Sequence, residues 1–154
     1  MRRKDRQIDD ISEIESVISQ SDVCRVAFAD NSIPYIITMN FGYAGGEHPC
    51  LYFHGASDGR KFEMMKKNNY VCFEMDTDHE LYGGENGCDW GMGFRSVVGY
   101  GYISLVVDPE EKKKGLDMIM YHYTGRDGFS YDEKTMKNTG VLKLEIREMT
   151  GKKR

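Results

Sequence analysis

Two adjacent basic residues, Arg60 and Lys61, stand where a protein could bind an anion. They open a predicted helix that follows a strand, and Gly55 and Gly59 lie in the connection. Glycine lets backbone amides approach a ligand closely, and the first amides of a helix have no partner inside it. A guanidinium can hold two phosphate oxygens and an ammonium a third, so the pattern favours a phosphate site. The alternative is an ordinary helix face whose basic residues meet only water.

Other side chains have the residue types of a metal site. Glu74, Asp76, Asp78 and Glu80 alternate along a predicted strand and would share one face, which suits either a divalent cation or a solvated edge. The four cysteines form no CxxC pair, and even with His54 their separations match no zinc-finger or zinc-ribbon spacing. We therefore predict no metal site and expect reduced thiols.

Hydrophobic periodicity predicts the elements that position these residues. Apolar residues at steps of three and four predict a helix over Asp9–Gln20, and Asp108 with Pro109 begins another. A short helix within Ser57–Asn69, capped by Asp58, bridges two strands. Runs of β-branched and aromatic residues predict the strands Val23–Ala29, Pro34–Tyr43, Cys50–His54, Tyr70–Asp76, Phe94–Val107 and Val141–Glu148.

The connections between these elements indicate the fold class. Asp30 and Asn31 supply a turn, AGGEHP supplies a hairpin loop, and the glycine-rich segment from Leu81 to Gly93 predicts a loop of roughly a dozen residues. The segment from Gly125 to Thr139 is ambiguous. Because the strands mostly follow one another, we expect a mainly β (α+β) fold, a six- to seven-stranded antiparallel barrel with two or three flanking helices.

Length and charge limit the class of protein further. The 154 residues suit a single domain over residues 1–154. The formal net charge is −4, but seven of the 21 bases lie at the two ends, and the acidic middle disfavours nucleic acid as a partner. No apolar run approaches the roughly 20 residues of a membrane span, and the basic start lacks the apolar segment of a secretion signal. We expect a cytoplasmic protein.

The ordered motifs of the chain resemble those of a known family. PYIITMNFGY, YFHGASDGRK followed by NNYVCFE, CDW, and RSVVGYG before a DPEEK helix are similar to the pyridoxamine 5′-phosphate oxidase-related flavoproteins, and most of all to their 5-nitroimidazole resistance (Nim) branch. With an opening like MRRKDRQI, the set covers nearly the whole chain. The resemblance implies an FMN-binding split β-barrel, and a homodimer that holds the flavin at the subunit boundary.

The same resemblance implies which residues bind the phosphate end of FMN. Arg60 and Lys61 correspond to the phosphate-binding pair of the oxidases. His54 and Gly55 stand where the oxidases have an aromatic and a hydroxyl residue. Beside a flavin, His54 could donate a proton to a substrate, or it could simply bond a strand-end carbonyl.

Strand residues complete the implied cofactor site. The strand from Ile36 to Phe41 would run along the flavin, with its nearest residues being Thr38, Met39, Asn40 and Phe41. Ser96 and Val97 align with the Gln-Val of an oxidase motif in which the glutamine meets the flavin, and the shorter serine could leave a water between them. Trp90, the single tryptophan, could cover a flavin or a flat substrate, or it could anchor its loop to the core.

The function implied by the resemblance is electron transfer. A reduced nicotinamide or another donor would reduce the flavin, and the flavin would pass hydride to a flat electrophile such as a nitroaromatic. Pyridoxamine phosphate oxidation is not expected, because the C-terminal segment lacks counterparts of the residues that hold the vitamin's phosphate. The alternatives are a protein that stores or senses flavin or haem without catalysis, and a reductase that uses a deazaflavin.

Overall fold

The computed structural model describes residues 3–30 and 33–154. One antiparallel sheet contains β1 (Gln7–Ile8), β2 (Cys24–Asp30), β3 (Ile33–Met39), β4 (Phe41–Ala44), β5 (Cys50–Ala56), β6 (Tyr70–Tyr82), β7 (Gly91–Leu105) and β8 (Thr139–Lys153). The helices are α1 (Ile11–Gln20), α2 (Arg60–Lys67), α3 (Pro109–Thr124) and α4 (Glu133–Asn138). None of the described helices is both long and apolar enough to span a membrane. The predicted antiparallel β fold with flanking helices is confirmed.

The sheet curls around one core without closing. Its strand order is β3-β2-β6-β7-β8-β5-β4, and β1 pairs with β8. Side chains from all eight strands and from α1 and α2 meet in one buried cluster, which includes Phe28, Phe41, Phe53 and Phe73. The end strands β3 and β4 follow each other in the chain but do not pair with each other within the described sheet.

The opening in the sheet begins at Asn40. β3 pairs with β2 as far as Met39, opposite Cys24, whereas β4 pairs with β5 from Phe41, opposite Phe53. The chain thus changes partners within two residues, and the segment predicted as a single strand is two. Past Phe53, β5 pairs with β8 alone, so two strand edges stay unpaired in the described sheet. We call the space between β3 and residues 54–56 of β5 the split.

Helix α3 holds the backbone where the strand changes partner. The Phe41 N–H donates to Tyr123 Oη at 3.2 Å, and Tyr123 Oη donates to the Asp22 carbonyl at 2.7 Å. The neighbouring His122 packs on the Phe41 ring with centroids 4.3 Å apart. Gly42 lies so close to α3 that a Cβ there would come within 2.4 Å of the helix backbone. These contacts fix the direction in which β4 leaves β3.

Some local predictions differ from the structure. The cap of α2 is Gly59, with a φ of 96°, and not Asp58, so the helix begins at Arg60. The segment that the sequence left ambiguous contains α4, and β1 is too short to give a periodic signal. Six or seven strands therefore become eight. The predicted turn at Asp30 and Asn31 involves residue 31, which lies outside the described residues.

Removing the Tyr123 hydroxyl should destabilise the fold. Tyr123→Phe leaves the Phe41 N–H without this partner, so the free energy of unfolding should fall by about 1–2 kcal/mol, measured by chemical denaturation. Tyr121→Phe is the matched control, because Tyr121 lies on the same helix and is 59% exposed. Equal losses in the two variants would contradict the role assigned to Tyr123.

Candidate functional site

Arg60 and Lys61 contact the two opposite sides of the split. The Arg60 guanidinium carbon lies 4.6 Å from the centroid of the Tyr35 ring on β3. Lys61 Nζ donates to the carbonyl of Ala56, the last residue of β5, at 3.0 Å. The sequence did not indicate Tyr35 as a site residue, because only the pairing of β3 with β2 brings its ring to α2. The first two residues of α2 therefore connect the strands that the sheet leaves apart.

The positive charge of this pair is not neutralised by the described part of the protein. No carboxylate there lies within 4.0 Å of Arg60 or Lys61. At the other end of the helix, by contrast, Lys67 pairs with Asp30 at 2.6 Å. The N-terminus of α2 also lacks a side-chain cap. Two cations and the positive end of a helix dipole thus meet at one place, which suits a phosphate.

His54 and Lys61 lie on opposite faces of β5. Side chains alternate along the strand: Phe53 enters the main core, while Tyr52 packs in a second cluster under α3. A Cβ on Gly55 would point to the first face, 3.6 Å from Lys61 Nζ. His54 is exposed on the second face. There it lines a cavity of about 640 Å³ with Gly55, Ala56, Asp132, Lys134, Thr135, Asn138 and Thr139.

The four residues predicted nearest the flavin, on β3, on β4 and between them, differ in exposure. Met39 and Phe41 are buried in the core, whereas Thr38 and Asn40 are exposed. Thr38 lies on the outer face of the sheet, opposite Arg25 of β2. Only Thr38 and Asn40 therefore offer side chains to a ligand at the surface of the chain, and Met39 and Phe41 offer backbone atoms.

Ser96 and Val97 are not brought to the split within one chain. They pair with Asp76 and Met75 of β6, and β6 and β2 separate their strand from β3. Three strand spacings amount to about 14 Å. Val97 is fully buried, and Ser96 is partly exposed. Within one copy of the chain, Ser96 and Val97 therefore do not reach a flavin that lies on β3.

Trp90 lies on the hairpin between β6 and β7, which is more regular than predicted. The strands extend to Tyr82 and from Gly91, so the loop is shorter than a dozen residues. A Cβ on Gly83 would come within 2.2 Å of the Trp90 indole, and one on Gly91 within 2.4 Å of the Tyr82 hydroxyl oxygen. These glycines leave room for aromatic rings, which is a physical reason for the glycine-rich composition.

The acidic run forms ion pairs and does not share one face. Arg25 Nη1 lies 3.0 Å from Glu74 and 2.7 Å from Asp76, and Arg95 pairs with Asp78. The strand register shifts beside Asp78, whose φ is 56°, so the predicted alternation ends there. Burial raises the pKa of Glu74, and the Asp76 carboxylate raises it further. Among the described residues, no group of three or more His, Cys, Asp or Glu could hold a metal ion.

Solved structures with the same fold include named flavoproteins. A Bacteroides thetaiotaomicron protein named for 5-nitroimidazole antibiotic resistance is 39% identical, covers 95% of this chain and 85% of its own, and has a TM-score of 0.83. The flavocytochrome Anf3 from Azotobacter vinelandii is 20% identical over 100% of this chain and 72% of its own, with a TM-score of 0.80. An FAD- and heme-binding protein from Mycobacterium smegmatis is 14% identical over 96% of this chain and 73% of its own, with a TM-score of 0.79.

Sequence comparison identifies the family. No curated protein sequence matches the chain. The family model described as pyridoxamine 5′-phosphate oxidase, however, matches residues 10–153, which is nearly the whole length. Together with the 39% identity to the nitroimidazole-resistance relative, this match confirms the resemblance of the motifs. The chain belongs to the pyridoxamine 5′-phosphate oxidase family.

Proposed function

We propose that the protein binds FMN in the split and works as a flavin-dependent oxidoreductase. The observation that carries this proposal is the pair Arg60 and Lys61, which contacts both sides of the split and has no carboxylate partner among the described residues. A flavin phosphate would supply the missing negative charge. When bound, FMN would supply two-electron transfer as hydride.

The rest of the cofactor would lie along β3. The edge of this strand that faces away from β2 has backbone groups free for hydrogen bonds in the described sheet. Tyr35, which contacts Arg60, lies on this strand. Thr38 near the end of β3 and Asn40 just after it supply exposed polar side chains. Arg60 and Lys61 would thus hold one end of the molecule while the strand edge orients the other.

We further propose that the protein is a homodimer with the flavin near the subunit boundary. Ser96 is partly exposed but lies about three strands from β3 in its own chain, so it would reach a flavin only from a second copy. Val97 is buried behind it and would contribute through its backbone or by packing.

His54 is proposed as the proton donor to the electron acceptor. Reduction of a nitro group to a nitroso group takes a hydride and a proton and releases water. His54 is exposed beside the 640 Å³ cavity, on the face of β5 opposite Lys61, and this volume would accommodate a small planar acceptor. Such an acceptor would meet a flavin in the split across residues 54–56 of β5, whose edge is unpaired in the described sheet. Imidazole is a common general acid in enzymes, because it can give a proton to a substrate and then take up another from water. The likeness to the nitroimidazole-resistance relative supports a nitroimidazole as the acceptor.

The absorption spectrum of the purified protein tests the function. We expect flavin bands that bleach on anaerobic addition of NADH or NADPH and return on addition of a nitroimidazole. Flavin bands that never respond would favour the non-catalytic alternative, and a haem band would favour a haem protein. A colourless protein that does not take up FMN would contradict the proposal as a whole.

Replacing the basic pair should weaken FMN binding. The double variant Arg60→Ala, Lys61→Ala removes the charge-assisted contacts to the phosphate, so the binding free energy should fall by about 2–4 kcal/mol, measured by equilibrium dialysis. Riboflavin, which lacks the phosphate, should bind both proteins equally. Lys112→Ala, Lys137→Ala removes the same charge elsewhere and should leave the affinity for FMN unchanged. An unchanged affinity in the Arg60 and Lys61 variant would show that the phosphate sits at another place.

Replacing His54 should slow the chemistry more than the binding. His54→Gln keeps a polar side chain but cannot donate a proton as an imidazole does, so reoxidation by a nitroimidazole should slow by about 10²-fold. Stopped-flow absorbance measures this step directly, and reoxidation by a one-electron acceptor such as ferricyanide should not change. His48→Gln, in the β4–β5 hairpin, is the matched control. Equal reoxidation rates for His54→Gln and the wild type would exclude His54 as the donor.

A further inference from the structure

The hairpin formed by β6 and β7 extends beyond the rest of the sheet. β2 pairs with β6 only between Cys72 and Glu74, and β8 pairs with β7 from Arg95 onward. Residues 78–94, which we call the arm, therefore form a two-stranded ribbon within the described sheet. Arg154 contacts its base, through backbone hydrogen bonds with Phe94. A ribbon of two strands is marginally stable in water unless something covers it.

The arm exposes large apolar side chains, which is unusual for a two-stranded ribbon that stays in contact with water. Leu81 and Met92 are directly paired across the two strands and are 62% and 41% exposed. Trp90 follows on the same ribbon and is 54% exposed. One face of its indole lies against Gly83, so the exposed area is on the other side of the ring. The arm thus presents a flat aromatic surface next to an apolar pair, which indicates a binding surface.

Trp90 cannot cover a flavin in the split of its own chain. Thr38 pairs with Arg25, and Arg25 pairs with Glu74, so the end of β3 lies level with Glu74 on β6. Trp90 lies beyond the level of Tyr82, eight residues further along β6. At 3.3 Å per residue this is roughly 26 Å along the sheet, in addition to the strands between. The predicted stacking of Trp90 on a flavin therefore cannot occur within one copy.

We propose that the arm docks on a second copy of the chain and places the open face of Trp90 against the flavin bound there. The inference rests on the proposed function. Charge complementarity supports the second copy as the occupant. Between residues 77 and 94 the chain has four acidic residues and no Lys or Arg; Asp78 pairs with Arg95 of its own chain, which leaves Glu80, Glu85 and Asp89 to face a partner. Helix α2 has four bases and one acid, and its Lys67 pairs with Asp30, which leaves Lys66 beside Arg60 and Lys61. The acidic arm of one copy would approach the basic helix that holds the phosphate in the other.

Mixed dimers distinguish this arrangement from one within a single chain. The first copy has Arg60→Ala and Lys61→Ala, so it keeps Trp90 but binds FMN about 30- to 10³-fold more weakly, and FMN is added at a concentration that fills only the second copy. The second copy has Trp90→Phe, so it binds FMN without the indole that quenches flavin fluorescence. Two different affinity tags allow the mixed dimer to be purified. We expect FMN in the second copy to lose its emission, down to the wild-type level, when the first copy supplies Trp90.

The opposite outcome is equally clear. If Trp90 acted within its own chain or did not meet the flavin, FMN in the mixed dimer would stay as bright as in the Trp90→Phe homodimer, and the proposal would be wrong. Tyr121→Ala removes an exposed aromatic residue of α3 and should leave the emission at the wild-type level. Thermal unfolding of each variant checks that the fold is retained.

A measurement without flavin separates this inference from the proposed function. Trp90 is the single tryptophan, so intrinsic fluorescence reports on the arm alone. In the flavin-free protein we expect short-wavelength emission that resists acrylamide and shifts to longer wavelength when dilution separates the copies. Solvent-exposed emission at every concentration, or a monomer by sedimentation, would overturn the docking of the arm. Failure of the wild type to bind FMN, with a protected Trp90, would instead overturn the proposed function.

Discussion

The change of strand partner at Asn40 is the constraint on which the rest of the structure depends. Because the chain leaves β2 after Met39 and joins β5 at Phe41, two strands keep free edges that face the same space. Unpaired backbone groups are costly when buried, so such an opening must be solvated or filled by a ligand. Tyr123 satisfies the Phe41 N–H at the turning point, which lets the strand change partner without a buried orphan donor.

Electrostatics then determine what the opening can hold. The chain carries a net charge of −4, yet acids on the sheet such as Glu74 and Asp76 are already paired with Arg25. At the start of α2 the balance reverses, because Arg60 and Lys61 face the split with no carboxylate beside them in the described structure. Coulomb interactions weaken beyond about 10 Å in salt, so a local anion site can exist in an acidic protein.

Features decided within one segment could be predicted from the sequence. Asp108 accepts from the Glu111 N–H at 2.8 Å and caps α3, as its place before Pro109 indicates. Periodicity also placed α1 and most of its buried residues, but Ile11 of α1 is 53% exposed, and Val141 of β8 is buried under α3 although its alternation predicts the outer face. The break at Asn40 left no such signal, because both halves of that segment have high β-propensity. The glycines of the arm made the segment look like a loop. Their contacts with aromatic rings depend on the pairing of two strands, which the sequence of one segment does not show.

By itself, the sequence determined most of the elements, the family, and the Arg60 and Lys61 pair at a helix start after a glycine. These depend on residues close together in the chain, where propensity, capping and charge act directly. The tertiary structure decided which of the candidate residues meet. It separated Ser96, Val97 and Trp90 from the split, placed His54 and Lys61 on opposite faces of β5, and added Tyr35. The physical reason is that strand order and register set these distances, and neither is encoded in the periodicity of a single segment.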